Sequence, residues 1–310
     1  MTVPPGGQPD ATSVLLPGPW THRDVSANGI RLHAAEAGEG PLVLLLHGFP
    51  QFWWTWRSQL TALADAGFRA VAPDLRGYGA SDKPPRGYDL PTAAADVAAL
   101  VRALGERDAV LVGHDWGASV AYALAIRHPE RLGRLAVVNG VHPLAFQDAL
   151  AEGGAQADRS QYIPWLRREG SERALMADGH ARLWGLVGDL AGHLAPERRR
   201  AYEEAWGDEA GLRAMVNWYR ASPLVVPPPG ERVPPDALPR WDRERFRVRV
   251  PHLVVWGMED RAFVPELRLG AAPHAERFEI EEIAGADHWV IHREPERVAE
   301  RLVRFLAAAG

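Results

Sequence analysis

The chain has 310 residues, a formal net charge of −5 and no cysteine. Its length suffices for one large α/β domain or two medium ones, and the small negative charge gives no indication of a nucleic-acid partner. The absence of cysteine excludes disulfides, thiolate catalysis and cysteine-ligated metal sites, so any catalytic group must use oxygen or nitrogen.

The N-terminal residues 1–19 are rich in proline and glycine and lack the basic start and apolar centre of a signal peptide. They predict a flexible N-terminal leader. No apolar run approaches the length that crosses a membrane, so we expect a cytoplasmic protein without membrane insertion.

Short apolar runs alternate with helical patterns in the first half of the chain. Residues 30–34 alternate apolar and polar side chains, as a half-buried edge strand does, whereas residues 42–46 form a continuous apolar run, typical of a strand covered on both faces. Further strands are predicted at 68–72, 109–112 and 135–138, with helices at 54–66, 92–104 and 118–128. This alternation predicts an α/β fold with a mostly parallel sheet and helices on both faces.

The alternation stops after Gly140. Residues 142–245 show helical periodicity and a proline-rich stretch, which predicts an inserted helical cap domain, with 20–141 and 246–310 forming the core domain. Strand patterns resume at 252–256 and 277–280, and an amphipathic helix at 296–306 completes the core.

Ligands bind at the carboxyl ends of the strands in an open parallel sheet, and one such end reads Gly113-His114-Asp115-Trp116-Gly117. Glycines on both sides allow a sharp, strained turn that projects the central side chain into a pocket, as in a nucleophile elbow with Asp in place of Ser. We therefore predict Asp115 as the nucleophile. An Asp that only caps the following helix is the alternative, which leaves the glycines unexplained.

Later strand ends supply an acid and a histidine. Asp260 follows the strand at 252–256 and His288 follows the next strand, so the chain order is nucleophile, acid, histidine, as in a hydrolase triad. Glu259 and Asp287 are the nearest alternatives for the acid.

The strand end His47-Gly48-Phe49-Pro50 completes the set. Hydrolysis of an ester generates an oxyanion that backbone N–H groups must stabilise. We predict that the N–H groups of Phe49 and Trp116 form this oxyanion hole, and we interpret His47 and His114 as structural.

The chain thus carries HGFP at 47–50, DLRGYG at 74–79, GHDWG at 113–117 and DHW at 287–289, together with Asp260. With these motifs it resembles an epoxide hydrolase of the α/β-hydrolase fold from about Thr21 onward. The resemblance implies that two cap tyrosines donate hydrogen bonds to the epoxide oxygen. Tyr219 matches the second of them and Tyr162 is our choice for the first, with Tyr202 left open as the alternative.

An aspartate nucleophile agrees with this activity on chemical grounds. A carboxylate that attacks saturated carbon leaves an ester that water can cleave, whereas serine would leave an ether. A phenol with a pKa near ~10 can donate to the departing oxygen without protonating the nearby carboxylate. His288, oriented by Asp260, then removes a proton from water, and the product is a diol.

Three other functions are weighed against epoxide hydrolysis. A haloalkane dehalogenase also places Trp after the Asp nucleophile, but typically carries a polar residue where Phe49 stands. A haloacetate dehalogenase would need arginines near the nucleophile, where Trp116 and Ser119 stand. The fold also serves non-catalytic small-molecule receptors.

The expected ligands are a small-molecule epoxide and water, with no metal and no organic cofactor. We expect Trp116, Trp165 and Trp289 to line the substrate pocket, although tryptophan at helical spacing also packs in cores. A homodimer is left open.

Overall fold

The computed structural model describes residues 11–308, in which eight strands form one sheet of order β1-β2-β4-β3-β5-β6-β7-β8. The strands are β1 (Thr21–Ala27), β2 (Ile30–Ala37), β3 (Leu42–Leu46), β4 (Arg69–Pro73), β5 (Ala109–His114), β6 (Leu132–Val138), β7 (Val248–Gly257) and β8 (Ala275–Ile283). β2 pairs antiparallel with β1 and β4, and all other neighbours are parallel. The predicted mostly parallel sheet is confirmed.

The helices are α1 (Ala11–Val14), α2 (Arg57–Asp65), α3 (Leu90–Ala103), α4 (Trp116–Arg127), α5 (Pro143–Ala151), α6 (Ala155–Arg159), α7 (Tyr162–Leu166), α8 (Ser171–Leu186), α9 (Pro196–Trp206), α10 (Glu209–Ala221), α11 (Val290–Arg293) and α12 (Pro295–Ala307). Helix α2 packs on α12, whereas α3 packs on α4, as expected for helices on both faces of the sheet. Core elements predicted from the sequence differ from these bounds by at most four residues. Within residues 11–308 no helix is long and apolar enough to cross a membrane.

Strand β3 lies in the middle of the sheet, between β4 and β5. All its side chains are buried, as its continuous apolar run predicts. Since β3 and β5–β8 are parallel, their carboxyl ends meet at one edge, and the loops that follow them lie close together.

The sequence analysis did not predict strand β1. β1 joins β2 through Asn28 and Gly29, whose φ angles are 50° and 79°, the left-handed pair of a type I′ hairpin turn. Ala27 pairs with Ile30 on either side of this turn. An Asn-Gly pair between alternating residues is the local signal that could have revealed the hairpin.

The structure also differs from the flexible leader predicted for residues 1–19. Residues 1–10 of that leader lie outside the described residues. Val14 of helix α1 is fully buried, and its carbonyl oxygen accepts a hydrogen bond from the indole of Trp53 (2.9 Å). The physical reason is that an apolar side chain in this segment joins the core.

Helices α5–α10 lie between β6 and β7, and the described chain contains no strand between these two. We refer to residues 142–245 as the cap segment. Helix α8 is interrupted at Ala177–His180, where the backbone leaves the helical conformation.

Tryptophan side chains connect the cap segment to the rest of the chain. The indole N–H of Trp206 donates to the carbonyl oxygen of Pro50 (2.7 Å). The indole N–H of Trp218 donates to the carbonyl oxygen of Arg76 (3.1 Å). Both indoles are buried, so these bonds fix helices α9 and α10 over the loops that follow β3 and β4.

Candidate active site

Asp115 lies at the tip of a tight turn between β5 and α4. Its φ and ψ are 51° and −118°, and a residue in such a conformation carries about 1–3 kcal/mol of strain. A Cβ on Gly117 would lie 2.0 Å from the carbonyl oxygen of Leu46, so only glycine fits beside it. The geometry is that of a nucleophile elbow, and the Asp115 side chain is only 15% exposed.

Backbone N–H groups bind the Asp115 carboxylate. Phe49 N–H donates to Oδ1 at 2.8 Å, and the Trp116 N–H at the start of α4 lowers the pKa of the carboxylate. Burial raises the pKa of Asp115, while His288 and these two N–H groups oppose the rise. The donors predicted for the oxyanion hole therefore lie where negative charge on this group would be stabilised.

His288 lies between two carboxylates. Its Nδ1 is 2.8 Å from Asp260 Oδ2, and its Nε2 is 3.8 Å from Asp115 Oδ2. Burial would lower the pKa of His288, but Asp260 and then Asp115 raise it above its ordinary value. For Asp260, burial favours a higher pKa, and its interaction with His288 and the surrounding hydrogen bonds lower it. The arrangement keeps Asp260 charged and orients the imidazole toward Asp115.

The two alternative acids lie elsewhere. Glu259 is exposed. Asp287 is buried, but its Oδ2 is 2.7 Å from His193 Nε2 and its Oδ1 accepts the N–H of Trp289 (2.8 Å). The structure thus brings Asp260 to the imidazole of His288.

Asn139 is a site residue that the sequence analysis missed. Its Nδ2 donates to Asp260 Oδ2 (2.7 Å), and its Oδ1 accepts the N–H of Gly257 (2.8 Å). Its φ is 38°, which asparagine tolerates better than most residues. Its position directly after β6, at the same sheet edge as Asp115, is the signal that could have identified it.

Two tyrosines of the cap segment border the same cavity as Asp115. The rings of Tyr162 and Tyr219 are 5.9 Å apart at 82°. Burial raises the pKa of both phenols; Asp115 adds to the rise in each, and Tyr162 also adds to that of Tyr219. Both phenols are therefore held in their protonated form, in which a phenol can donate a hydrogen bond.

Arg167 links the helices that carry these tyrosines. It follows α7, and its guanidinium donates to the carbonyl oxygens of Tyr219 (2.9 Å), Ser222 (3.1 Å) and Leu224 (2.9 Å) at the end of α10. A cation bound to the last carbonyls of a helix stabilises that helix end.

Tyr202, the alternative cap tyrosine, occupies a different environment. Its hydroxyl lies 3.1 Å from His292 Nε2, and its ring packs edge-on against Phe52. It is not among the residues that line the cavity. The structure therefore groups Tyr162, and not Tyr202, with Tyr219 and Asp115.

The cavity has a volume of about 1070 Å³. Trp116 lines it together with apolar side chains such as Phe146, Ile163 and Phe263. Trp165 and Trp289, also expected in the pocket, are not among its lining residues. The ring of Trp165 lies under the guanidinium of Arg182 (5.1 Å), and the indole of Trp289 donates to the carbonyl oxygen of Val187 (2.9 Å), so both face other partners.

The two buried histidines next to the turns make backbone contacts. His47 accepts the N–H of Leu75 (3.0 Å) at Nε2 and contacts the carbonyl oxygen of Gly48 through Nδ1 (3.0 Å). His114 Nε2 lies 2.9 Å from the carbonyl oxygen of His288. Burial lowers the pKa of both imidazoles.

Among residues 11–308, no group of three or more potential ligands is arranged to hold a metal ion.

Comparison with known proteins agrees with this geometry. The family model of the α/β-hydrolase fold matches residues 41–295. The AB hydrolase superfamily protein YfhM of Bacillus subtilis (strain 168) is 34% identical over 292 residues, which cover 91% of this chain and 96% of that protein. Epoxide hydrolase 3 of Xenopus tropicalis is 32% identical over 301 residues, covering 90% of this chain and 75% of that protein.

A solved structure gives the same result. The crystal structure of Bacillus megaterium epoxide hydrolase in complex with an inhibitor matches with a TM-score of 0.82 at 29% identity, covering 92% of this chain and 100% of that one. The resemblance found in the sequence is confirmed. The chain is therefore a hydrolase of the α/β-hydrolase fold and belongs to the epoxide hydrolase family.

Proposed function

We propose that this protein adds water to an epoxide and forms a vicinal diol through a covalent ester on Asp115. One observation carries the proposal: Asp115, whose Oδ2 lies 3.8 Å from His288 Nε2, borders the same cavity as Tyr162 and Tyr219. A nucleophile and two proton donors thus border one space, and a base lies beside the nucleophile.

In the first half-reaction, an Asp115 oxygen attacks an epoxide carbon and the carbon–oxygen bond of the ring opens. The phenols of Tyr162 and Tyr219 donate to the departing oxygen, and one of them transfers its proton to it. The raised pKa of both phenols keeps their protons on them until the departing oxygen takes one. The product of this step is an alkyl ester bearing a hydroxyl group.

In the second half-reaction, water attacks the carbonyl carbon of the Asp115 ester while His288 Nε2 takes a proton from that water. The N–H groups of Phe49 and Trp116 stabilise the oxyanion. The ester bond then breaks, His288 returns the proton to the leaving alcohol, and the diol departs. The carboxylic acid that remains ionises, and its proton restores the phenol through solvent.

Formation of the ester also prepares the base. The charge of Asp115 is one of the causes that hold the pKa of His288 up. Esterification removes that charge and so lowers the pKa of His288. The neutral imidazole, which is the form that can accept a proton from water, is then favoured.

The environment of Trp116 favours an epoxide over a haloalkane as the substrate. A dehalogenase uses the indole N–H after the nucleophile to bind halide. Here the Trp116 ring packs edge-on against the Tyr219 ring, with 5.2 Å between the ring centroids, so the indole adjoins the proposed acid.

A single turnover in heavy-oxygen water tests the covalent route. With enzyme in excess over epoxide, we expect the first diol to contain unlabelled oxygen from Asp115, and the peptide that contains Asp115 to gain the label. Mass spectrometry of both products reads this out. Label found entirely in the first diol would contradict the ester.

A cytoplasmic location and a homodimer stay predictions from the sequence. In the proposed mechanism one chain supplies every reacting group, so the chemistry itself requires no second subunit.

A further inference from the structure

The loop that carries His288 is bound on both sides by one short stretch of the cap segment. Asp287 Oδ2 lies 2.7 Å from His193 Nε2, and the indole of Trp289 donates to the carbonyl oxygen of Val187 (2.9 Å). Val187 directly precedes the 3₁₀ helix Gly188–His193, and His193 is its last residue. The two chain neighbours of His288 are thus attached to the same cap element.

The contact between His193 and Asp287 is not explained by local loop geometry. Asp287 Oδ1 accepts the N–H of Trp289 two residues on (2.8 Å), an ordinary local turn contact. Its other oxygen, Oδ2, instead bonds to a residue 94 positions earlier in the chain. Asp287 is 5% exposed and the His193 side chain 16% exposed, so water competes little for this pair.

Building on the proposed function, we infer that His193 and Asp287 form a latch between cap and core that positions His288 for hydrolysis of the ester. Neither side chain lines the cavity, so both act as positioning residues and not as catalytic ones. Asp115 is fixed independently by its strained turn and by the N–H of Phe49. The tyrosines lie on α7 and α10, outside Gly188–His193.

This separation predicts which half-reaction depends on the latch. Formation of the ester needs Asp115 and the tyrosines, which the latch does not hold. Hydrolysis needs His288 Nε2 beside a water that attacks Asp115, and a misplacement of about 1 Å can cost on the order of 10²-fold in rate. Release of the latch should therefore slow hydrolysis and leave ester formation nearly intact.

The test compares rates of ester formation and decay in the full-length protein. Enzyme is mixed with styrene oxide or phenyl glycidyl ether, quenched at short times, and the ester on Asp115 is quantified by mass spectrometry. The variants are Asp287→Asn, His193→Leu and the double variant. Asp148→Asn is the matched control, because it disrupts an exposed pair of equal length, Arg243–Asp148 at 2.7 Å, within the cap segment.

For Asp287→Asn and His193→Leu we expect ester decay to slow on the order of tenfold, with formation changed less than about twofold. The ester then accumulates at steady state, and kcat and KM fall together. The double variant should match the single ones, since each removes the same contact. Asp148→Asn should behave as the wild type.

Two results would overturn the latch: decay unchanged in His193→Leu, or formation and decay slowed equally, which is the mark of general destabilisation. His193→Leu decides the matter if Asp287→Asn does not fold, because His193 lies near the surface of the cap segment. A wild type that forms neither ester nor diol from either epoxide would instead overturn the proposed function itself, and the latch with it.

Discussion

Two regions supply the groups of the candidate site, and they position those groups differently. At the sheet edge, Asp115 and Asp260 accept backbone N–H groups, from Phe49 (2.8 Å) and from Ala262 and Phe263 (2.7 and 2.9 Å). In the cap segment, Tyr162 and Tyr219 lie on helices and are placed by ring packing, 5.9 Å apart. The proposed nucleophile and the acid of the proposed triad are thus held by backbone N–H groups, whereas the proposed proton donors depend on how the cap segment packs on the core.

The largest expected effect contrasts two residues of the sheet edge. Asp115→Asn and His288→Gln should each lower kcat on the order of 10⁴-fold or more. Only His288→Gln retains the nucleophile, so only this variant should accumulate the ester. Mass spectrometry after incubation with a reactive epoxide checks this. An adduct on Asp115→Asn, or none on His288→Gln, would contradict the assigned roles.

The cap tyrosines should show the opposite division between half-reactions. Tyr162→Phe or Tyr219→Phe should slow ester formation on the order of 10²-fold, because a positioned proton donor is lost. Ester decay should change little. Tyr202→Phe is the control, since its hydroxyl bonds to His292 and not to the cavity. Rapid-quench measurement of both steps decides the matter, and a slower decay with normal formation would refute the assignment.

The pH dependence should distinguish free enzyme from ester. In the free enzyme, Asp260 and Asp115 raise the pKa of His288 against the effect of burial. Hydrolysis needs neutral His288, so the decay rate should fall about tenfold per pH unit below the pKa that His288 has in the ester. Since the ester lacks the Asp115 charge, the midpoint for ester decay should lie below the His288 pKa that NMR finds in the free enzyme. Equal midpoints would exclude a contribution of the Asp115 charge to the pKa of His288.

Asn139→Ala should have the smallest of these effects. We expect a loss of about 1–3 kcal/mol in the free energy of unfolding, because Asp260 and Gly257 each lose a buried partner, and a several-fold slower ester decay. Asn28→Ala is a close control: Asn28 also has positive φ and donates to a carboxylate, that of Asp96, at 2.7 Å. Urea unfolding should report a loss in both variants, and kinetics only in Asn139→Ala.

The parts of the site that a local pattern specifies could be predicted from the sequence. The glycines around Asp115 specify a strained turn by themselves, and the strand before His288 specifies which sheet edge it occupies. Residues that depend on pairing between distant segments could not be found in this way. Asn139 gains its role only when Asp260 lies beside it, 121 positions later in the chain.

The directions in which side chains of the cap segment point could not be predicted from local sequence patterns either. The sequence favours Tyr162 and leaves Tyr202 open as the alternative, and the packing of α7 against α10 brings Tyr162 to Tyr219. The sequence predicts Trp165 and Trp289 in the pocket, yet Trp165 contacts Arg182 and Trp289 contacts Val187. The aromatic composition specified a packed cap without specifying which ring faces the substrate.

The tryptophans that cross from the cap segment to the core give the molecule built-in optical reporters. Trp206 bonds to the carbonyl oxygen of Pro50 next to Phe49, Trp218 bonds to that of Arg76 after β4, and Trp289, next to His288, bonds to that of Val187. An indole that exchanges such a bond for water shifts its fluorescence to longer wavelength. Because the three indoles lie at different places between the cap segment and the core, changes in their emission would show where this contact loosens first.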